Sequence, residues 1–167
     1  VFAGPEPVFL AQGVERLRQH LAPGDEVVIA TGSWEPLARA LLEREGLQDV
    51  PLVASTLRPF LGGWISEYHC LGENKNPMLT ERGYPPPWRM AYTDHRADLP
   101  LLRNSEQWCL VSPGETCLRR IEQTMMTKAQ IVSWRNAWAL PSSRDGGGPQ
   151  SSFIATSAAS SAWAALL

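Results

Sequence analysis

Three short clusters hold the side chains best suited to chemistry: Thr31-Gly32-Ser33, Lys75 within Leu71-Gly72-Glu73-Asn74-Lys75, and the pair Asp94 and Asp98 within Tyr92-Thr93-Asp94-His95-Arg96-Ala97-Asp98-Leu99-Pro100. The first offers two hydroxyls and backbone N–H groups where a strand should hand over to a helix, a natural seat for phosphate. Lys75 puts a cation near an expected helix start, where the dipole would favour an acid. Such a charge would hold a phosphoryl group and offset repulsion among carboxylates. Asp94 at an expected strand end and Asp98 at an expected helix start converge on one edge of the sheet. They are hard oxygen ligands that suit magnesium, which commonly takes one or two protein carboxylates together with phosphate and water. Each cluster also has a plainer reading: Ser33 and Asp98 as helix caps, Asp94 closing a turn, and Lys75 as a solvated lysine. His20, His69 and His95 match no local metal-ligand spacing. His69 and Cys70 read as loop or core residues, and His95 as a neighbour on the substrate side.

The elements that must position these groups follow from the apolar pattern. Val14, Leu17 and Leu21 recur at helical spacing over residues 12–21, and Pro23-Gly24-Asp25 stops that helix. Val27 to Thr31 is β-branched and apolar without alternation, as for a central strand buried on both faces. Gly32 permits a turn, Ser33 caps the next helix, Leu37, Ala38, Leu41 and Leu42 form its buried stripe, and Gly46 ends it. A strand is expected over 50–55, and a β-hairpin over 56–68 with Gly62-Gly63 at its middle. A short helix over 77–82, a strand over 89–93, a short helix over 98–103, a strand over 108–112, a helix over 115–125 and an edge strand over 130–134 complete the alternation. Strands alternating with helices give an α/β fold with a Rossmann-like, largely parallel sheet whose clusters line one crevice.

The 167 residues are 44% apolar, enough for one domain with a real core. A net charge of -2 gives no global attraction to nucleic acid or to an anionic membrane, so phosphate recognition must be local and nucleic acid is not an expected partner. Cys70, Cys109 and Cys117 form no C-x-x-C pair, and their odd number fits a reducing cytoplasm better than a disulfide framework. No run approaches the ~20 apolar residues of a membrane span, so no stable span is expected in this chain. Val1 to Phe9, broken by Pro5 and Pro7 and lacking an initial Met, reads as a start in mid-protein. The composition shifts after Arg135: a Pro/Ser/Gly breaker precedes a Ser/Ala-rich stretch, so residues 1–135 are taken as the core and 136–167 as a disordered low-complexity tail. Its end, Trp163 to Leu167, is apolar enough for a weak helix.

Together the clusters resemble the second, third and fourth motifs of the haloacid dehalogenase superfamily. The nearest branch is the one that includes phosphoserine phosphatase and bacterial phosphatidylglycerophosphatase C. Val27 to Ser33 looks like the second motif, Gly72-Glu73-Asn74-Lys75 like the third, and Tyr92-Thr93-Asp94 through Asp98-Leu99-Pro100-Leu101-Leu102 like the fourth. The resemblance covers about residues 12–135 and implies the C-terminal part of such a core. It implies that Thr31 hydrogen-bonds the transferring phosphoryl group, with Gly32 and Ser33 beside it. Lys75 would stabilise that group, Asp94 would bind Mg2+ and Asp98 would support the metal site.

The same resemblance implies a first motif, Asp-x-Asp, on a strand at the centre of the sheet, giving the nucleophile and an aspartyl-phosphate intermediate. No Asp-x-Asp occurs in the sequence. The expected activity is therefore that of a magnesium-dependent phosphomonoester hydrolase in a longer protein, inactive as this chain alone. Its partner would be a phosphorylated small molecule or a lipid phosphate, with phosphatidylglycerophosphate the favoured analogy and membrane association open for the full-length form. Ala97 stands where phosphoserine phosphatases usually have Asn, against serine phosphate. Pro77 removes a donor just after Lys75 and so bears on the direction of that side chain. Two other readings stay open: a noncatalytic anion-binding or interaction module using the same crevice, and a gene fragment with no role of its own.

Overall fold

In this computed structural model the described residues are 10–134 together with the strand Ala165–Leu166. The first helix, α1 (Ala11–Leu21), buries Val14 and Leu17 at the expected spacing. Strand β1 (Ile29–Trp34) leads into α2 (Glu35–Arg44), and Gly46, at φ 69°, follows that helix in the left-handed conformation that glycine adopts without strain. Next come β2 (Leu52–Phe60) and β3 (Gly63–Tyr68), then α3 (Lys75–Glu81), β4 (Trp88–Thr93), α4 (Leu99–Arg103), β5 (Ser105–Val111), α5 (Glu115–Met125) and β6 (Gln130–Val132). Residues Ala165–Leu166 form β7, a strand where the apolar pattern of the terminus suggested a weak helix. The remainder of the expected tail, and Val1 to Phe9, lie outside the described residues.

The α/β class is as expected, but the strands form two sheets. One has the order β1-β2-β3, with β1 parallel to β2 and β3 antiparallel. The other has the order β6-β5-β4-β7, with β4, β5 and β6 parallel and β7 antiparallel on β4 at Met90 and Ala91. β1 is an edge of the first sheet, and β7 takes the edge of the second beyond β4, which ends at Thr93.

A shared core holds the halves together. On one face Ile29 and Ala54 pack with Tyr92, Cys109 and Val111 beneath α1 and α2. On the other, Val28, Ala30 and Val53 pack with Ala91 and Leu110 beneath α3, α4 and α5. A polar staple adds to the first face. His20 bonds Tyr92 Oη through Nε2 at 3.0 Å and Asp25 through Nδ1 at 3.0 Å, fixing α1 to β4.

Three local expectations change. Ser33 does not cap α2: a bulge between Thr31 and Trp34 carries the pairing on to Trp34–Ser55, so the N-cap is Trp34 and the helix begins at Glu35. The buried face of α2 narrows to Ala38 and Leu42, one turn apart, leaving Leu37 exposed. The hairpin turns at Leu61 and Gly62, both at positive φ, one residue earlier than a Gly62-Gly63 centre.

Candidate functional site

Lys75 and Asp98 form the best-defined part of the site. Lys75 opens α3 and Asp98 ends a 3-10 turn (Arg96–Asp98) that runs into α4. Their side chains meet at 2.7 Å between Nζ and Oδ2, at 0% and 3% exposure. Lys75 is thus a buried ion-pair partner, unlike the solvated lysine that its residue type alone favours. Pro77 does not turn it away from Asp98, because a first-turn N–H has no intrahelical acceptor to lose. Asp98 does not cap α4 through its side chain.

Thr93 also donates to Asp98 Oδ2, at 2.7 Å, while the buried Asp98 Oδ1 has no protein hydrogen-bond partner. A buried carboxylate oxygen without a donor is costly, and a cation or cation-bound water is the kind of ligand that would satisfy it.

Asp94 follows β4 directly. Burial, first, and the neighbouring Asp98 charge push its carboxyl above the ordinary 3.8, against the pull of Lys75 and His95. A carboxyl whose proton affinity is raised by burial and by a neighbouring acid is one that a divalent cation would relieve. Among the described residues no group of three His, Cys, Asp or Glu could hold a metal. Two carboxylates are a number that magnesium accepts when phosphate and water complete the shell.

The raised Asp94 affinity carries a sign. An acid whose folded-state pKa lies above its unfolded value destabilises the fold increasingly as pH rises through that window, and fully once it is ionised in both states. Asp94→Asn should therefore raise the melting temperature of the metal-free chain at neutral pH. The gain should disappear as pH falls below about 3.8. Thermal scans across pH read this directly.

Thr31 is fully buried at the last β1–β2 pair before the bulge, and its Oγ1 accepts from the Ser33 N–H at 3.1 Å. Gly32 and Ser33 are half-buried beside it. No direct bond joins Thr31 to Lys75 or Asp98; Cys70 bridges the region instead. Its buried thiol is pushed up to about 11 by desolvation, and it senses the Lys75 charge, the Asp98 carboxylate and the Thr31 backbone. Cys70 in turn is held by its N–H to Ser55 Oγ at 3.0 Å.

The residue types alone did not mark Thr93 or Cys70 as parts of this cluster. Thr93 had a usable signal in its place beside Asp94, whereas Cys70 resembles any buried cysteine. His95 accepts the Ala97 N–H on Nδ1 at 3.1 Å and thereby caps the Arg96–Asp98 turn.

Gly72 locks two of the loops together. It sits at φ 57°, and a Cβ there would lie 3.3 Å from the Ala97 carbonyl oxygen. Gly72→Ala should cost about 1–2 kcal/mol from left-handed backbone alone, and more as the 97 loop is pushed from the Lys75 loop. Urea unfolding of the variant checks it.

A family model described as haloacid dehalogenase-like hydrolase matches residues 2–103. That span includes Thr31, Gly32, Ser33, Lys75, Asp94 and Asp98, and stops before β5. Among solved structures, a Bordetella pertussis Tohama I protein of unknown function is similar at 23% identity and a TM-score of 0.54. The likeness covers 70% of this chain and 56% of that one, so this chain spans little more than half of that protein's length. At this identity the likeness is one of fold.

Proposed function

The chain belongs to the haloacid dehalogenase-like hydrolases, and from that premise we propose that Thr31, Lys75, Asp94 and Asp98 are the phosphoryl- and magnesium-binding half of a phosphomonoester hydrolase site. The observation that carries this reading is the buried Asp98 carboxylate, tied through Oδ2 to Lys75 and Thr93 and left open at Oδ1.

Each group has a capacity that suits the role. The Thr31 hydroxyl accepts from Ser33 N–H and so keeps its own proton to donate to a phosphoryl oxygen. Lys75 uses one of its three ammonium donors on Asp98 and retains two for the same group. Asp94 would bind magnesium and Asp98 Oδ1 would steady its shell. When bound, the ion would neutralise phosphoryl charge as a Lewis acid.

The nucleophile must come from outside these 167 residues, since the sequence contains no Asp-x-Asp. The division between β1 and β4 is the seat we assign to its strand, with Thr31 on one side and Asp94 on the other. β7 pairs with β4 along that edge at Met90 and Ala91, so an incoming strand would have to displace it. The resemblance of residues 27–36 and 92–102 to the phosphatidylglycerophosphatase branch supports a lipid phosphate as substrate. The missing nucleophile also supports a second reading, a noncatalytic module that binds anions in the same crevice.

The test is phosphate release by a longer protein that carries an Asp-x-Asp segment. Release should require magnesium and should fall steeply in Asp94→Asn. Release that survives this substitution unchanged would remove Asp94 from the metal role.

A further inference from the structure

Strands β2 and β3 continue as a two-stranded arm well past the sheet that supports them. β1 pairs with β2 only as far as Ser55, and residues 56–60 run on with β3 as their sole partner among the described residues. Five residues of strand reach about 16 Å. Because β1 and β2 are parallel, the arm leaves the sheet at its C-terminal edge, the edge that carries Thr31. Every residue of β3 is exposed.

What the arm exposes is unusual for a solvated hairpin. Leu61 at the turn is 90% exposed, Trp64 67%, Tyr68 58%, Phe60 50% and Ile65 36%. The register puts Phe60 and Ile65 on one face and Pro59 and Trp64 on the other. The tip and the Pro59/Trp64 face are therefore apolar, and the Phe60/Ile65 face is apolar as far as Arg58, the cross-strand partner of Ile65. From Pro59 to Ile65 there is no charged residue, and the first charge towards the base is the cation Arg58, whose guanidinium lies 5.8 Å from the Phe60 ring centroid. Glu67 lies nearer the base, bonded to Thr56.

We propose that this arm docks into the surface of a lipid bilayer, Leu61 first, with Arg58 at the level of anionic headgroups. Three observations favour a bilayer over a protein partner. A protein surface covers one face of a hairpin, whereas a fluid bilayer surrounds both faces and the tip. The apolar section is two to three residues deep, about 7–10 Å, which matches the roughly 5–10 Å to which interfacial segments bury their apolar side. The exposed parts of Phe60, Leu61, Trp64 and Ile65 come to about 400–500 Å2 on the basis of whole-aromatic areas, short of the ~800 Å2 per partner of a standard interface. Aromatic rings with a basic residue behind them also fit the headgroup region, where amphipathic rings partition. The bilayer contact stands by itself. That it serves to present the crevice to a phosphorylated lipid rests on the reading of the site given above.

Co-sedimentation of the full 167-residue chain with phosphatidylcholine/phosphatidylglycerol vesicles tests it. The chain should pellet with the vesicles, and Leu61→Glu/Trp64→Glu should weaken partitioning by about tenfold or more while leaving the melting temperature in place, since both side chains are solvent-exposed. Arg58→Glu should weaken binding to the anionic vesicles but not to pure phosphatidylcholine. A chain that stays in the supernatant, or a double variant that pellets like the parent, would overturn the proposal. Self-association of the parent without vesicle binding, lost in the double variant, would overturn it in favour of a second copy. Phosphate binding should survive the double variant, so failure of the arm and failure of the site are separable.

Discussion

Replacing Lys75 with Met should destabilise the fold by about 3–5 kcal/mol, the usual cost of removing one partner from a buried ion pair, and lower the melting temperature by roughly 10–20 °C. The size follows from burial. Lys75 and Asp98 are almost wholly excluded from solvent, so the Asp98 charge cannot turn to water when the ammonium is lost. Thr93 would remain its single donor among the bonds seen at that carboxylate.

The double variant Lys75→Met/Asp98→Leu separates charge from packing. Replacing both members of a buried pair with apolar groups is often close to neutral, so the second substitution should recover at least half of the loss. Equal instability in the single and double variants would show that the lysine acts through its packed stem. Chemical unfolding in urea gives both values without assuming any activity.

The second large effect concerns turnover. Supplied alone, the 167-residue chain should hydrolyse a phosphomonoester on the order of a millionfold more slowly than the same site completed by an Asp-x-Asp strand, by analogy with nucleophile loss in an unrelated hydrolase. In the completed protein, removing the Lys75 charge should cost about 10²–10³ in kcat, the range for one group that stabilises transition-state charge. Any conservative replacement must first be shown to fold, for which the urea data above serve. Turnover by the isolated chain at the rate of the completed protein would mean that the nucleophile is among these residues after all.

Much of this architecture could be read from residue types. Helix α5 was legible to the residue because Glu115 opens an amphipathic run and the next strand signal is a few residues away. Strand positions were legible from β-branched runs, but their ends were not: β1 runs on to Trp34 through a bulge, which is a pairing event between strands rather than a local preference. The same limit hid the turn of the hairpin. Gly62 marks it, but the choice between Leu61 and Gly63 as its neighbour is set by the register of β2 on β3, and Leu61 accepts a φ of 47°. Local signals therefore located the arm and not the exposure of its faces.

For the proposed site, Thr31, Lys75, Asp94 and Asp98 stood out because each lies at the end of an expected strand or near the start of an expected helix. The Thr93 bond and the open Oδ1 of Asp98 were not visible, since they arise from how β4 and the Arg96–Asp98 turn fold back on one another. The split into two sheets was likewise absent from the alternation of elements. A further strand completing the sheet is proposed from the lack of Asp-x-Asp, which says nothing about how the strands present divide.

On the proposed reading, Asp94, Asp98, Lys75 and Thr31 keep a magnesium-coupled phosphate site without the nucleophile. Isothermal titration of the 167-residue chain with inorganic phosphate, with and without magnesium, tests it most directly. Phosphate should bind more tightly when magnesium is present, and Asp94→Asn should abolish that coupling while the variant stays folded. Phosphate binding that ignores magnesium, or coupling that persists in Asp94→Asn, would contradict it.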